Sequence, residues 1–175
     1  FTLRSQSLAR FGRAYGLPRL PDLPMTAGGS FAVEKDAVRL RGPVTAEIDG
    51  ARIRVAGMVA LVPRLSGSRL SVGVDAPDLA ALVGMFAPAE QVPPLPIDLD
   101  GDIRLQAHGV SFSDVRGTFG RSAVAVNGTL STAARMAGSE FTIDSSGPAL
   151  EELVAHLPGI GVYPGAYRLS GALRL

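Results

Sequence analysis

The chain of 175 residues is long enough to bury a substantial core, and its net charge of +1 gives no basis for nucleic-acid binding. The absence of cysteine excludes a disulfide framework and thiolate metal sites. With 21 glycines, 13 prolines, 46% hydrophobic but only 6% aromatic residues, the composition is that of a turn-rich β protein with an aliphatic interior. Charge is uneven along the chain: residues 1–69 hold eleven Lys and Arg against five Asp and Glu, and residues 70–175 hold six against eleven. Most of this reads as solvated surface charge, with the basic end suited to anionic groups such as lipid phosphates. Phe1 at the start and an alternating "GALRL" at the end read as a fragment of a longer polypeptide, so the termini carry no targeting information.

Taken in chain order, the first element is a helical stripe of Leu8, Phe11, Gly12 and Tyr15 with Ser5 as its N-cap. The proline-rich "GLPRLPDLP" follows, and then the period falls to two. Alternation marks strands at Phe31 and Val33, Val38 and Leu40, Val44, Ala46 and Ile48, then Ile53 and Val55. After Leu70, Val72 and Val74 a second helical stripe of Leu79, Leu82, Val83 and Phe86 appears, with Pro77 suited to the first helical position. The run Leu79 to Ala89 contains Gly84 and Pro88, and is too short and too broken to span a bilayer. Past "APAEQVPPLP", alternation returns at Ile97 and Leu99, at Ile103, Leu105 and Ala107, at Val110 and Phe112, at Val124 and Val126, and at Phe141 and Ile143. A third stripe, Leu150, Leu153, Val154 and Leu157, follows Pro148 and carries Glu151 and Glu152 near the positive end of its dipole. After "LPGIGVYPG" the chain closes on Tyr167, Leu169, Leu173 and Leu175.

The stripes recur at intervals of 71 residues, and other landmarks keep nearly the same offset. Val55 and Gly57 correspond to Val126 and Gly128, and "GDIRL" at 101–105 to "GALRL" at 171–175. Such a period signifies repeated supersecondary units, each a strand, a short helix, a proline-rich connection and about four further strands. The expected fold class is therefore mainly β, a curved antiparallel sheet of repeated units with a short helix per unit. The chain is one fragment of a repeat array with approximate units 1–69, 70–140 and an incomplete 141–175. At about 4.8 Å per strand, five strands give roughly 24 Å per unit and about 60 Å in all. Asn127-Gly128 fits either a two-residue hairpin turn or a glycine bulge.

No motif carries catalysis. "DLDGD" places Asp98, Asp100 and Asp102 like the start of a calcium loop, but Ile103 and Gly109 stand where an EF-hand needs glycine and glutamate, so these aspartates are expected to face solvent at a strand turn. His108 and His156 are the two histidines, and neither pairs with a nucleophile or a second metal ligand. The chain is expected to be non-enzymatic, with no cofactor and no metal.

The segments "VDAPDLAALV" and "IDSSGPALEELV", a proline-rich connection, "LDGDIRL" and "VRGTFGRSAVAVNGTLS" together resemble the repeats of the AsmA-like family of the Gram-negative envelope. The likeness covers nearly all of residues 70–175 and is weaker over 1–69. It implies a long, bent, taco-like β-groove with an apolar floor, in a periplasmic protein anchored in the inner membrane by an N-terminal helix and concerned with phospholipid transport between inner and outer membranes and with envelope integrity. The partner so implied is phospholipid or another acyl-chain lipid, with membrane contact made through other parts of the full-length protein. The candidate floor comprises Val38, Leu40, Ile53, Val55, Ile103, Leu105, Val124, Val126, Leu169 and Leu173. Each methylene sheltered there contributes about 0.8 kcal/mol. Alternation does not distinguish this open groove from the closed core of a sandwich or barrel with helices plugging its ends. The alternative function is a structural or protein-interaction segment of an outer-membrane assembly factor.

Overall fold

A computed structural model describes residues 1–7, 9, 22–63, 65–84, 92–133, 136–151 and 164–175. They form one open antiparallel sheet of 12 strands, with 61% of the described residues in strands and little helix. The strands are β1 (Thr2–Ser5), β2 (Met25–Gly28), β3 (Phe31–Val33), β4 (Ala37–Leu40), β5 (Val44–Ile48), β6 (Ala51–Ala60), β7 (Arg69–Ala76), β8 (Ile97–Gln106), β9 (Gly109–Phe119), β10 (Ser122–Ser131), β11 (Glu140–Gly147) and β12 (Tyr167–Arg174), and the helix α1 (Leu79–Gly84) joins β7 to β8. The main path runs β1, β2, β5, β6, β7, β8, β9, β10, β11, β12.

The sheet forks at β6. Its first half pairs with β5, Val55 opposite Val44, and its second half with β4, Val59 opposite Val38. The fork arises because β4 and β5 are parted by Arg41-Gly42-Pro43, where proline has no N–H to give a ladder, and β2 and β3 by Gly29-Ser30. Further along, β8 and β9 run unbroken for 10 and 11 residues, absorbing the mismatch in a single irregularity between Asp100 and Asp102.

Register recurs at the sequence interval. On β6 and β7 Arg52 lies opposite Asp75 and Met58 opposite Arg69; on β10 and β11 Ala123 lies opposite Ser146 and Thr129 opposite Glu140, every residue 71 further on. The hairpin loops repeat too. The Ser68 hydroxyl accepts the Ala60 amide at 2.9 Å and donates to the Leu65 carbonyl at 2.6 Å, while Ser139 accepts from Ser131 at 2.9 Å and donates to Met136 at 2.7 Å. Leu65 and Met136 both take left-handed backbone, φ 67 and 58.

Several expectations are corrected. Ile97 to Leu105 form one strand instead of two, ending at Gln106, so Ala107 and His108 make the turn and Asp98, Asp100 and Asp102 lie within β8. The alternation marks neither β1 nor β2, which are four residues each. From β7 to β11 the sheet therefore advances four strands, about 19 Å, instead of five. Asn127-Gly128 sits inside β10 and makes no hairpin turn; it faces an irregularity of β9, where the three steps from Phe112 to Val115 oppose two on β10, and the Asp114 amide donates to Asn127 Oδ1 at 2.7 Å. Helix α1 is capped by Asp78, whose Oδ1 accepts the Ala81 amide at 3.1 Å, so Pro77 precedes the cap and is not the first helical residue. Ser5 ends β1, and its Oγ accepts the Ser7 amide at 3.2 Å.

Two small buried clusters lie at one end of the strands. Leu79 and Leu82 of α1, with Val74 and Phe119, pack on Ala51, Ala76 and Ile97; Leu3, Leu23, Ala46 and Ile53 pack on Met25, Ala27 and Ile48. Val83 and Leu150 are partly buried, the latter beside buried Ala149. The other helical positions named from the sequence, Phe86, Leu153, Val154 and Leu157 with Leu8, Phe11, Gly12 and Tyr15, lie outside the described residues, as does His156.

Candidate functional site

Residues directly opposed on antiparallel strands project to the same face, so the register assigns faces across the whole sheet. One unbroken row crosses all ten strands of the main path: Leu3, Ala27, Ala46, Ile53, Val74, Leu99, Gly117, Val124, Ser145 and Leu169. A second runs Leu70, Ile103, Phe112, Gly128, Phe141 and Leu173. By the same alternation Val38, Leu40, Val55, Leu105 and Val126 share this face. All ten residues named from the sequence as the floor thus stand on one side of the sheet. Val74, Leu99, Leu70, Phe112 and Phe141 stand in the same rows outside that set, and their own alternation is the signal that places them.

Among the described residues, little besides helix α1 packs on this face. Of the described residues, the buried hydrophobics are Met25, Ala27, Ile48, Ala51, Ala76, Ile97 and Ala149, four of them alanines, and the largest fully buried side chains are serines. The named floor residues are partly buried on the inner strands, whereas Leu169 and Leu173 on outermost β12 reach 54% and 49% exposure. The accessible surface of 11326 Å² exceeds by about 40% the ~8,100 Å² expected of a compact protein of this mass. The strand order is that of an open sheet, β1 and β12 forming its two edges, and not that of a closed barrel.

The opposite face is charged and wet. Arg52 pairs with Glu47 at 3.3 Å, Arg116 with Asp114 at 2.9 Å, and Ser71 Oγ donates to Asp102 at 2.6 Å. Arg54 reaches Asp100 at 3.3 Å by leaning over Gly73 of the intervening strand, where a side chain would collide with both partners. These exposed pairs are worth little singly, but together they mark this side as the polar one. Hollows of about 930 Å³ at Arg4, Glu47, Arg52 and Asp75, and about 580 Å³ at Arg54, Asp100, Asp102 and Arg116, open among these charged side chains. Among the described residues no group of three or more His, Cys, Asp or Glu is placed to hold a metal ion, and no helix is long and apolar enough to cross a membrane. Comparison with known protein families, with curated proteins and with solved structures finds no match.

Proposed function

We propose that the chain is a non-enzymatic lipid-binding segment whose apolar face receives acyl chains, as the resemblance to AsmA-like repeats implies. The observation that carries this reading is the largely aliphatic row that crosses ten strands and, among the described residues, is only partly buried over most of its length, opposed by a face of solvated ion pairs. An apolar surface of this extent on one side of a sheet marks a binding surface, because water is a poor partner for it. Recurrence of the register at 71 residues supports the finer reading of a groove built from repeated units. Successive units then offer an acyl chain similar free energies, so a lipid moves along them in shallow steps. In this reading the full protein resides in the periplasm, anchored in the inner membrane, and conducts phospholipid between inner and outer membranes.

The competing reading keeps the same face and places a partner protein on it, as in an outer-membrane assembly factor. Native mass spectrometry of the purified segment separates the two. Phospholipid retained on the chain is the expected result; a lipid-free chain that also takes up no fluorescent lipid overturns conduction.

A further inference from the structure

We infer that Arg69 and Arg104 form a binding site for a phosphate-type oxyanion on the charged face. The site lies opposite the apolar rows and does not depend on what occupies them. One row of that face runs Arg39, Met58, Arg69, Arg104, Ser111, Thr129, Glu140, Arg174, each opposed to the next. Arg39 is neutralised by Glu34 at 2.8 Å and Arg174 by Glu140 at 3.1 Å. Between them Arg69 and Arg104 stand directly opposed, both exposed, and among the described residues neither has an ion pair. Like charges in direct cross-strand opposition repel, an arrangement that a bound anion relieves.

The neighbours supply donors as well as charge. Ser111 is opposite Arg104, its Oγ donating to the Arg104 carbonyl at a long 3.5 Å that an anion would replace, and Gln106 is the next residue of β8 on that face, its Nε2 donating to Ser111 Oγ at 3.4 Å. The nearest carboxylate along β8, Asp102, is already engaged by Ser71 at 2.6 Å. Two guanidinium groups, a hydroxyl and a carboxamide borne at neighbouring positions of adjacent strands are the donor types that bind a tetrahedral oxyanion. The comparison within the chain is direct. Seventy-one residues after Arg69 stands Glu140, and seventy after Arg104 stands Arg174, and there the same cross-strand position is a closed ion pair. The fold therefore accommodates a neutral pair at this place, and the first copy carries two cations instead.

The ligand chemistry is a phosphate group, free or on a lipid headgroup. Titration of the whole chain with inorganic phosphate, against chloride at matched ionic strength, should raise the unfolding temperature beyond the chloride control. Arg69→Glu should weaken the apparent phosphate affinity by about tenfold or more. The same variant should keep the fold, since its new carboxylate pairs with Arg104 as Glu140 pairs with Arg174. Glu140→Arg should create a second response and double the stoichiometry measured by calorimetry. Co-sedimentation with phosphatidylglycerol vesicles but not phosphatidylcholine vesicles, lost in Arg69→Glu, assigns the headgroup; a phosphate response without vesicle binding assigns the free ion. A phosphate effect no larger than that of chloride, or one that Arg69→Glu leaves intact, overturns the site.

Discussion

Three buried serines show how the same residue type stabilises at one place and costs at another. Ser68 and Ser139 each close a hairpin loop with two hydrogen bonds, accepting an amide and donating to a carbonyl three residues back. Ser68→Ala leaves the Ala60 amide and the Leu65 carbonyl without that partner, and should cost about 2 kcal/mol in equilibrium urea unfolding. Ser122 is 1% exposed with no hydrogen-bond partner for its Oγ among the described residues, and the residue 71 positions earlier is Ala51, also buried. Ser122→Ala should accordingly gain about 1 kcal/mol by the same measurement. Opposite signs for two serine-to-alanine changes test the hydrogen-bond accounting itself. None of the three is legible in the sequence, because a serine between strands reads as solvent-facing and hydrophobic periodicity carries no record of polar partners.

At the scale of the strand, alternation finds most of the sheet from β3 onward and fails where the backbone departs from the regular pleat. Gly101 interrupts the apolar run of β8, so the sequence shows two short strands where the structure has one long strand, its missing Cβ leaving room for Val115 of β9. Gly57 and Gly128 mark the corresponding departures of β6 and β10, with φ of 118 and 158. A Cβ at either would strike the neighbouring strand, at the carbonyl of Arg69 or of Glu140. Gly57→Ala should therefore lower stability by about 2 kcal/mol or more and depress the unfolding temperature by several degrees. Gly42→Ala, where no heavy atom lies within 4 Å, should be close to neutral. The short strands β1 and β2 escape the sequence for a different reason: four residues hold at most two apolar positions on one face, too few to establish a period.

For the whole molecule, the sequence tells which residues share a face but not what lies over that face, since a sealed core and an open sheet demand the same alternation. The path from β1 to β12 is that of an open sheet, and among the described residues buried hydrophobics are few. This difference has an energetic signature. An aspartate introduced at a sealed position loses its hydration and costs several kcal/mol, enough to unfold a marginal domain, whereas on an uncovered face the carboxylate keeps water and the cost falls to about 1–2 kcal/mol. Val55→Asp and Val126→Asp, on β6 and β10, should leave the circular dichroism spectrum unchanged and lower the unfolding temperature modestly. Each should cut uptake of fluorescent phospholipid by about tenfold, because a charge placed among the aliphatic rows removes apolar contact and forces water into it. Ala56→Asp supplies the control, being adjacent to Val55 but projecting to the charged side opposite Ser71, and it should leave uptake intact. Loss of the folded state in both valine variants would show that the rows are covered; a fold and an uptake both unaffected would show that lipid, if bound, lies elsewhere than on this face.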